Sequence, residues 1–243
     1  MSVVERIEGS GEVLILCDHA SNHVPADIDL GIDPALLDRH IAIDIGAAAV
    51  SRGLAEFLGA PAMLATVSRL VIDLNREVDA LGLIPHASDG HAIPGNESVD
   101  RAERIARFHA PYHRAVAAQV RAQRPALIVS VHSFTPALES GIVAPRPWEA
   151  GILYNRDARA ARLAVDWLAA QGVVTGDNEP YSGRLLNATM NRHAEATGTP
   201  YLGIEIRNDL ISSDTGVAMW CENLRNLVTF VRNPLAQGRS AAT

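Results

Sequence analysis

Three polar segments follow apolar runs in this chain, and their residue types are those of hydrolytic chemistry. Val13-Leu-Ile-Leu-Cys17 leads into Asp18-His19-Ala20-Ser21-Asn22, Ala126-Leu-Ile-Val-Ser-Val131 into His132-Ser133-Phe134-Thr135, and Pro200–Ile206 carries Glu205 ahead of Arg207-Asn208-Asp209. Between them stand Asp44-Ile45-Gly46 and Ser68-Arg69-Leu70-Val71-Ile72-Asp73-Leu74-Asn75-Arg76. Two histidines and several carboxylates at strand ends suit one divalent metal, and imidazole with carboxylate suits zinc. Each residue alone also has a structural reading. A single strand-end histidine is commonly just hydrogen-bonded, Glu205 and Arg207 could form an ordinary ion pair, and Arg69 and Arg76 could lie on a solvated rim. Their joint placement is what points to a site.

Other chemistries find less support. His109 and His113 stand four apart as a possible ligand pair, but Ala110-Pro111-Tyr112 replaces the H-E-x-x-H pattern. Ser133 has no G-x-S-x-G elbow, and neither a G-x-G-x-x-G fingerprint nor a P-loop occurs. All 21 basic residues are arginine, so Schiff-base chemistry and lysine-dependent phosphate loops are excluded. Cys17 and Cys221 make no C-x-x-C pair and no disulfide framework.

The elements that position these residues read as strands alternating with helices. Strands are expected at Val13–Cys17, Ala62–Val67, Leu70–Leu74, Ala126–Val131, Gly151–Tyr154, Val173–Thr175 and Pro200–Ile206. Helices are expected over Asp33–Phe57 and over Asp100–Arg121, where Pro111 would kink the chain or start a second helix. Further helices are expected over Ala158–Ala170, facing inward with Leu163, Trp167 and Ala170, and from Asp214 to Val231. Solidly apolar strands between helices indicate an α/β sheet covered on both faces. No linker divides the chain, so residues 1–243 are expected to form one domain. The aperiodic stretch 75–96 has the character of a lid or binding loop.

Composition bounds the partners. The net charge of -7 argues against nucleic acid and anionic membrane surfaces. No apolar run approaches the ~20 residues of a membrane span, and Met1–Gly11 has no apolar core of a signal peptide. A cytoplasmic protein, monomeric or homodimeric, is expected.

The segments Asp18-His-Ala-Ser-Asn22, Asp44-Ile-Gly-Ala47, Ser68–Arg76, Ile93-Pro-Gly-Asn96, His132-Ser-Phe-Thr-Pro136, Asp177–Gly183 and Ile204–Leu210 together resemble the N-formylglutamate amidohydrolase family, and most of all its predicted branch. The resemblance runs from about Val13 to Leu210. In the histidine-degradation enzymes the first motif reads Pro-His-Ser-Gly, whereas here Asp18 precedes His19 and Ala20-Ser21 follow, a departure that bears on substrate rather than fold. The resemblance implies a three-layer, phosphorylase/hydrolase-like α/β fold with a central mixed, mostly parallel sheet, related to zinc carboxypeptidases. It implies one zinc ion and hydrolysis of the amide of a small acidic N-acyl amino acid such as N-formyl-L-glutamate. By position, His19 and His132 match the metal histidines, with Asp44 as third ligand and Asn22 as its rival. Glu205 matches the general base, and Arg69 resembles a carbonyl-polarising arginine. Asn75-Arg76 resembles a carboxylate-gripping pair. Arg207, Ser133, His91 and Asn96 complete the expected substrate contacts. A small zinc carboxypeptidase-like peptidase, or a binding protein that has lost the metal, are the alternative readings.

Overall fold

The apolar runs become the centre of one sheet. The computed structural model describes residues 2–141 and 145–240, with side chains through residue 235. Its strands are β1 (Val4–Ile7), β2 (Val13–Cys17), β3 (Ala62–Ala65), β4 (Ala87–Ser88), β5 (His91–Ala92), β6 (Leu127–Phe134), β7 (Ala150–Leu153), β8 (Thr175–Asp177) and β9 (Tyr201–Arg207). Seven form a sheet in the order β1-β3-β2-β6-β9-β7-β8, while β4 and β5 pair as a separate hairpin. Strands β3, β2, β6 and β9 run parallel, β1 and β7 join them antiparallel, and β8 follows β7. Every residue of β2 and β6 is buried, as strands covered on both faces require.

The helices are α1 (Ala47–Leu58), α2 (Arg101–Arg104), α3 (Ala110–Gln123), α4 (Arg159–Ala170), α5 (Ala188–His193) and α6 (Asp214–Ser240). Helix α6 packs on both α1 and α4, which lie against the sheet. Helices α3 and α5 pack together as the other layer, and α3 buries Tyr112, Val116 and Val120 in the common core. The mixed, mostly parallel α/β sheet expected from the sequence is therefore present.

Several element boundaries differ from expectation, for local reasons. The helix expected over Asp33–Phe57 is two pieces. A 3-10 turn at Pro34–Asp38 is capped by Asp33 and ends at Arg39, and α1 begins only after Gly46, whose φ is 79°. A Cβ at Gly46 would lie 2.3 Å from the Ile211 carbonyl oxygen, so this left-handed position needs glycine. The intervening non-helical stretch contains Asp44.

Leu70–Leu74 is not a strand: the Val71 amide donates to the Ser68 carbonyl at 3.0 Å, and the chain turns over residues 69–71. Pro111 stands in the first turn of α3, so a second helix begins there, one of the two expected outcomes, and a π turn at Ile105–His109 joins α2 to it. The inward face of α4 is Ala160, Ala161, Ala164 and Leu168, with Leu163 and Trp167 only half-buried and Ala170 exposed. Helix α6 passes through Pro234 instead of ending before it. The charged segment Val4–Ile7 forms an edge strand that the sequence pattern did not mark.

Candidate active site and metal centre

The carboxyl ends of three adjacent parallel strands bring the expected residues together, as open α/β sheets do. His19 follows β2, His132 lies near the end of β6, and Glu205 is its direct register partner on β9. The loop ahead of α1 is drawn in when the Asp44 amide donates to the His19 carbonyl at 3.1 Å. The Asp44 carboxylate then meets both rings: Oδ2 lies 3.2 Å from His19 Nδ1 and 2.8 Å from His132 Nδ1. All three side chains are buried, and their donor atoms cluster within 4.8 Å of one another.

Each imidazole is backed on its far side. His19 Nε2 lies 2.7 Å from Asp73 Oδ1. His132 Nε2 lies 3.1 Å from Ser130 Oγ and 3.4 Å from Asp18 Oδ2, the latter an ion-pair separation that does not meet hydrogen-bond geometry. Tyr112 in turn donates its hydroxyl to Asp18. Carboxylates behind histidines are the usual support of a metal site, because they fix ring orientation and tautomer. The donor set therefore fits a divalent ion: two buried imidazole nitrogens and a carboxylate, with two further carboxylates behind them.

Burial opposes every charge here, and the partners decide the outcome. Burial disfavours the His132 imidazolium, yet Asp18 and Asp44 hold its proton affinity well above the ordinary value. Burial and Arg69 act against His19 charge, but Asp73 and Asp44 outweigh them. Asp44 is lowered despite burial, chiefly by His19, His132 and Arg69. This concentration of negative charge around two rings favours a cation. Glu205 behaves oppositely. Burial, with added repulsion from Asp44, pushes its carboxyl up to about 7 against the attraction of His132, and its Oε2 is buried without a hydrogen-bond partner.

Arg69 and Arg76 both line the cavity, differently committed. Arg69 donates to Asp44 Oδ1 at 3.0 Å and to Asp73 Oδ2 at 2.9 Å, which fixes its guanidinium. Arg76 reaches Asp73 only through Nε at 3.5 Å, and its terminal nitrogens have no hydrogen bond among the described residues. Asn75 lines the cavity while its Oδ1 accepts the Thr189 amide at 3.1 Å. Ser133 also lines it, with its hydroxyl on the Ile45 carbonyl at 2.8 Å.

Four expected residues lie elsewhere. Asn22 donates to Asp38 Oδ1 at 2.9 Å on the exposed side of its loop. Asn96 is fully buried and bridges the Leu70 and Pro85 carbonyls, each at 2.8 Å. His91 pairs with Glu139, and Arg207 with Asp209 and the Trp148 carbonyl. None of the four borders the cavity. Conversely, Asp18, Asp73 and His40 were not singled out, although the first two adjoin chemistry in sequence: Asp18 precedes His19, and Asp73 stands four after Arg69. Tyr181, by contrast, was expected to border the pocket. Tyr181 lines the cavity and accepts from Arg146 Nη1 at 3.0 Å.

A buried acid poised near neutrality, set beside a His-Asp-His group at the strand ends of a mostly parallel sheet, marks a hydrolase of the α/β class. Comparison with known proteins narrows that class. The chain belongs to the N-formylglutamate amidohydrolase family, whose profile matches residues 11–212. It is similar over 97% of both chains to the crystal structure of a gene product from Agrobacterium tumefaciens, with 31% identity and a TM-score of 0.90. The fold is also that of the N-formylglutamate amidohydrolase from Ralstonia eutropha, at 22% identity and a TM-score of 0.70 over 98% of this chain and 100% of that one. No curated protein matches the chain significantly.

Proposed function

We propose that this protein hydrolyses the amide of an N-acyl acidic amino acid, N-formyl-L-glutamate being the reference substrate, and that it does so with one zinc ion. The observation that carries the reading is the convergence of His19, Asp44 and His132 with the unpartnered carboxyl of Glu205 lining the same cavity. His19, Asp44 and His132 would hold the ion. When bound, zinc supplies Lewis acidity, acidifying water and polarising a carbonyl.

The remaining steps belong to side chains of this chain. Glu205 is the general base: a carboxyl near 7 is balanced between accepting and releasing a proton at neutral pH. It takes the proton of the attacking water and delivers it to the amide nitrogen, so the C–N bond breaks to give formate and L-glutamate. Arg69, immobilised by Asp44 and Asp73, contributes a fixed positive charge toward developing negative charge at the carbonyl oxygen. Arg76 keeps its terminal nitrogens available for a substrate carboxylate, which a planar guanidinium can bind in bidentate fashion. Two cavity arginines give a chain of net charge -7 a locally favourable place for an acidic ligand. Arg207 has no part in this grip, since Asp209 already neutralises it.

The zinc-loaded protein is expected to release formate from N-formyl-L-glutamate. Glu205→Gln should lower kcat by about a thousandfold, within the range of general acid–base contributions, while retaining its zinc. A zinc-saturated protein inert on all N-acyl acidic amino acids, or a Glu205→Gln variant of undiminished activity, would contradict the reading.

A further inference from the structure

A second group of histidines lies outside the metal cluster, and its hydrogen bonds lead to the cavity. His109, His113 and His193 are all buried, and no carboxylate bonds to any of them among the described residues. His109 Nε2 faces the Arg76 carbonyl at 3.1 Å, and His113 Nε2 faces the Leu74 carbonyl at 3.0 Å. Carbonyls only accept, so both Nε2 atoms carry hydrogen. His113 Nδ1 is then a lone pair, and it lies 2.8 Å from His193 Nε2, which must donate to it. His193 and His113 thus form a directed pair of neutral imidazoles, from α5 through α3 to the Leu74 carbonyl, while His109, in ring contact with His113, bonds the Arg76 carbonyl separately; together they meet the two carbonyls flanking Asn75. Thr189, on the same short helix as His193, adds its amide to Asn75 Oδ1 at 3.1 Å and its hydroxyl to the Leu74 carbonyl at 3.4 Å.

The fold is locally shaped for this arrangement. The π turn at Ile105–His109 ends on the first of the three rings, directly before α3, and such turns recur at functional sites. His109 and His113 then lie on one face of the helix, with ring centroids 4.2 Å apart. Neutrality is consistent with burial, which pushes His113 down to about 3 and His193 to about 4.

We infer that His109, His113 and His193 are positioning residues that hold Asn75 and Arg76 at the cavity, and so set the strength of the substrate-carboxylate grip. The inference rests on the proposed function for its consequence, though not for the tether itself. The Asn75 and Arg76 amides lie beside the tethered carbonyls and donate to Asp73, to Oδ1 at 3.0 Å and to its carbonyl at 3.2 Å, so their exchange reports how firmly this segment is held.

The test compares wild type, His109→Leu and His109→Gln by amide hydrogen exchange and by steady-state kinetics on N-formyl-L-glutamate. In His109→Leu, exchange at Asn75 and Arg76 should rise about tenfold or more. KM should rise about tenfold, with kcat within about threefold and zinc content unchanged. His109→Gln, which restores a donor, should bring both quantities back toward wild type. A merely structural role would lower stability without this split between KM and kcat and without rescue. If His109→Leu does not fold, His193→Ala removes the donor behind His113 and is expected to act in the same direction through the Leu74 carbonyl. Unchanged exchange at the two amides would overturn the tether. Faster exchange with unchanged KM would overturn its control of the grip. Wild type inert on every N-acyl acidic amino acid would instead remove the proposed function, while the exchange measurement still decides the tether.

Discussion

The molecule contains two buried histidine clusters that differ in what stands behind the rings. His19 and His132 are surrounded by Asp44, Asp73 and Asp18, and their proton affinity rises despite burial. His113 and His193 meet each other and a backbone carbonyl, and burial holds both neutral. One residue type in two equally buried settings is thus made into a cation site in the first and a hydrogen-bonding strut in the second. The partner, and not the burial, assigns the role.

Predictions follow from disturbing either side of this contrast. Asp73→Asn removes the charge behind His19 while preserving shape, and should weaken zinc binding by about 10- to 100-fold, as measured by competition with a chelator. An affinity equal to wild type would mean that the backing carboxylate does not tune the site.

The neutral cluster should appear in the pH dependence of stability. Both imidazoles titrate lower in the folded chain than their ordinary 6.5, so the unfolded chain binds more protons between about pH 6.5 and 4. Their contribution is therefore complete above about 6.5 and declines as pH falls toward the folded values. Between pH 7 and pH 5 the zinc-loaded protein should lose about 2 kcal/mol per histidine in denaturant unfolding. Arg192 disfavours charge on both rings and Asp18 favours it, within the same balance. The double variant His113→Gln/His193→Gln should lose this slope; if it keeps the slope, other groups are responsible. The smallest effect is expected at Arg207, which Asp209 occupies: Arg207→Ala should change KM by less than about twofold. A tenfold increase would return that residue to the substrate grip.

Much of this architecture was legible in the chain. The runs that became β2, β6 and β9 are continuous and apolar, and the residues ending them supplied His19, His132 and Glu205. Periodicity misled where a tertiary demand overrode it. Asp33–Phe57 has helix-compatible residues, but Gly46 breaks the pattern with a positive φ, and that break sets Asp44 against the strand ends. Leu70–Leu74 is apolar enough for a strand but turns, because Ser68 closes a tight hydrogen bond and Arg69 pairs with Asp73. Residues whose role depends on a partner far along the chain were the least legible. Asp73 acts on His19 across 54 positions, and His113 meets His193 across 80. No local spacing encodes such a pair. Asn96 likewise serves a structural bridge to the Leu70 and Pro85 carbonyls, whereas Arg207 is held outside the cavity by its near neighbour Asp209, although their motifs suggested otherwise.

The central claim is that Asp44, together with His19 and His132, holds the metal, and zinc stoichiometry after loading and desalting tests it most directly. Wild type and Asn22→Ala should each retain one equivalent, since Asn22 faces Asp38. Asp44→Ala should retain almost none. A full equivalent in Asp44→Ala, or its loss in Asn22→Ala, would contradict this account of the site.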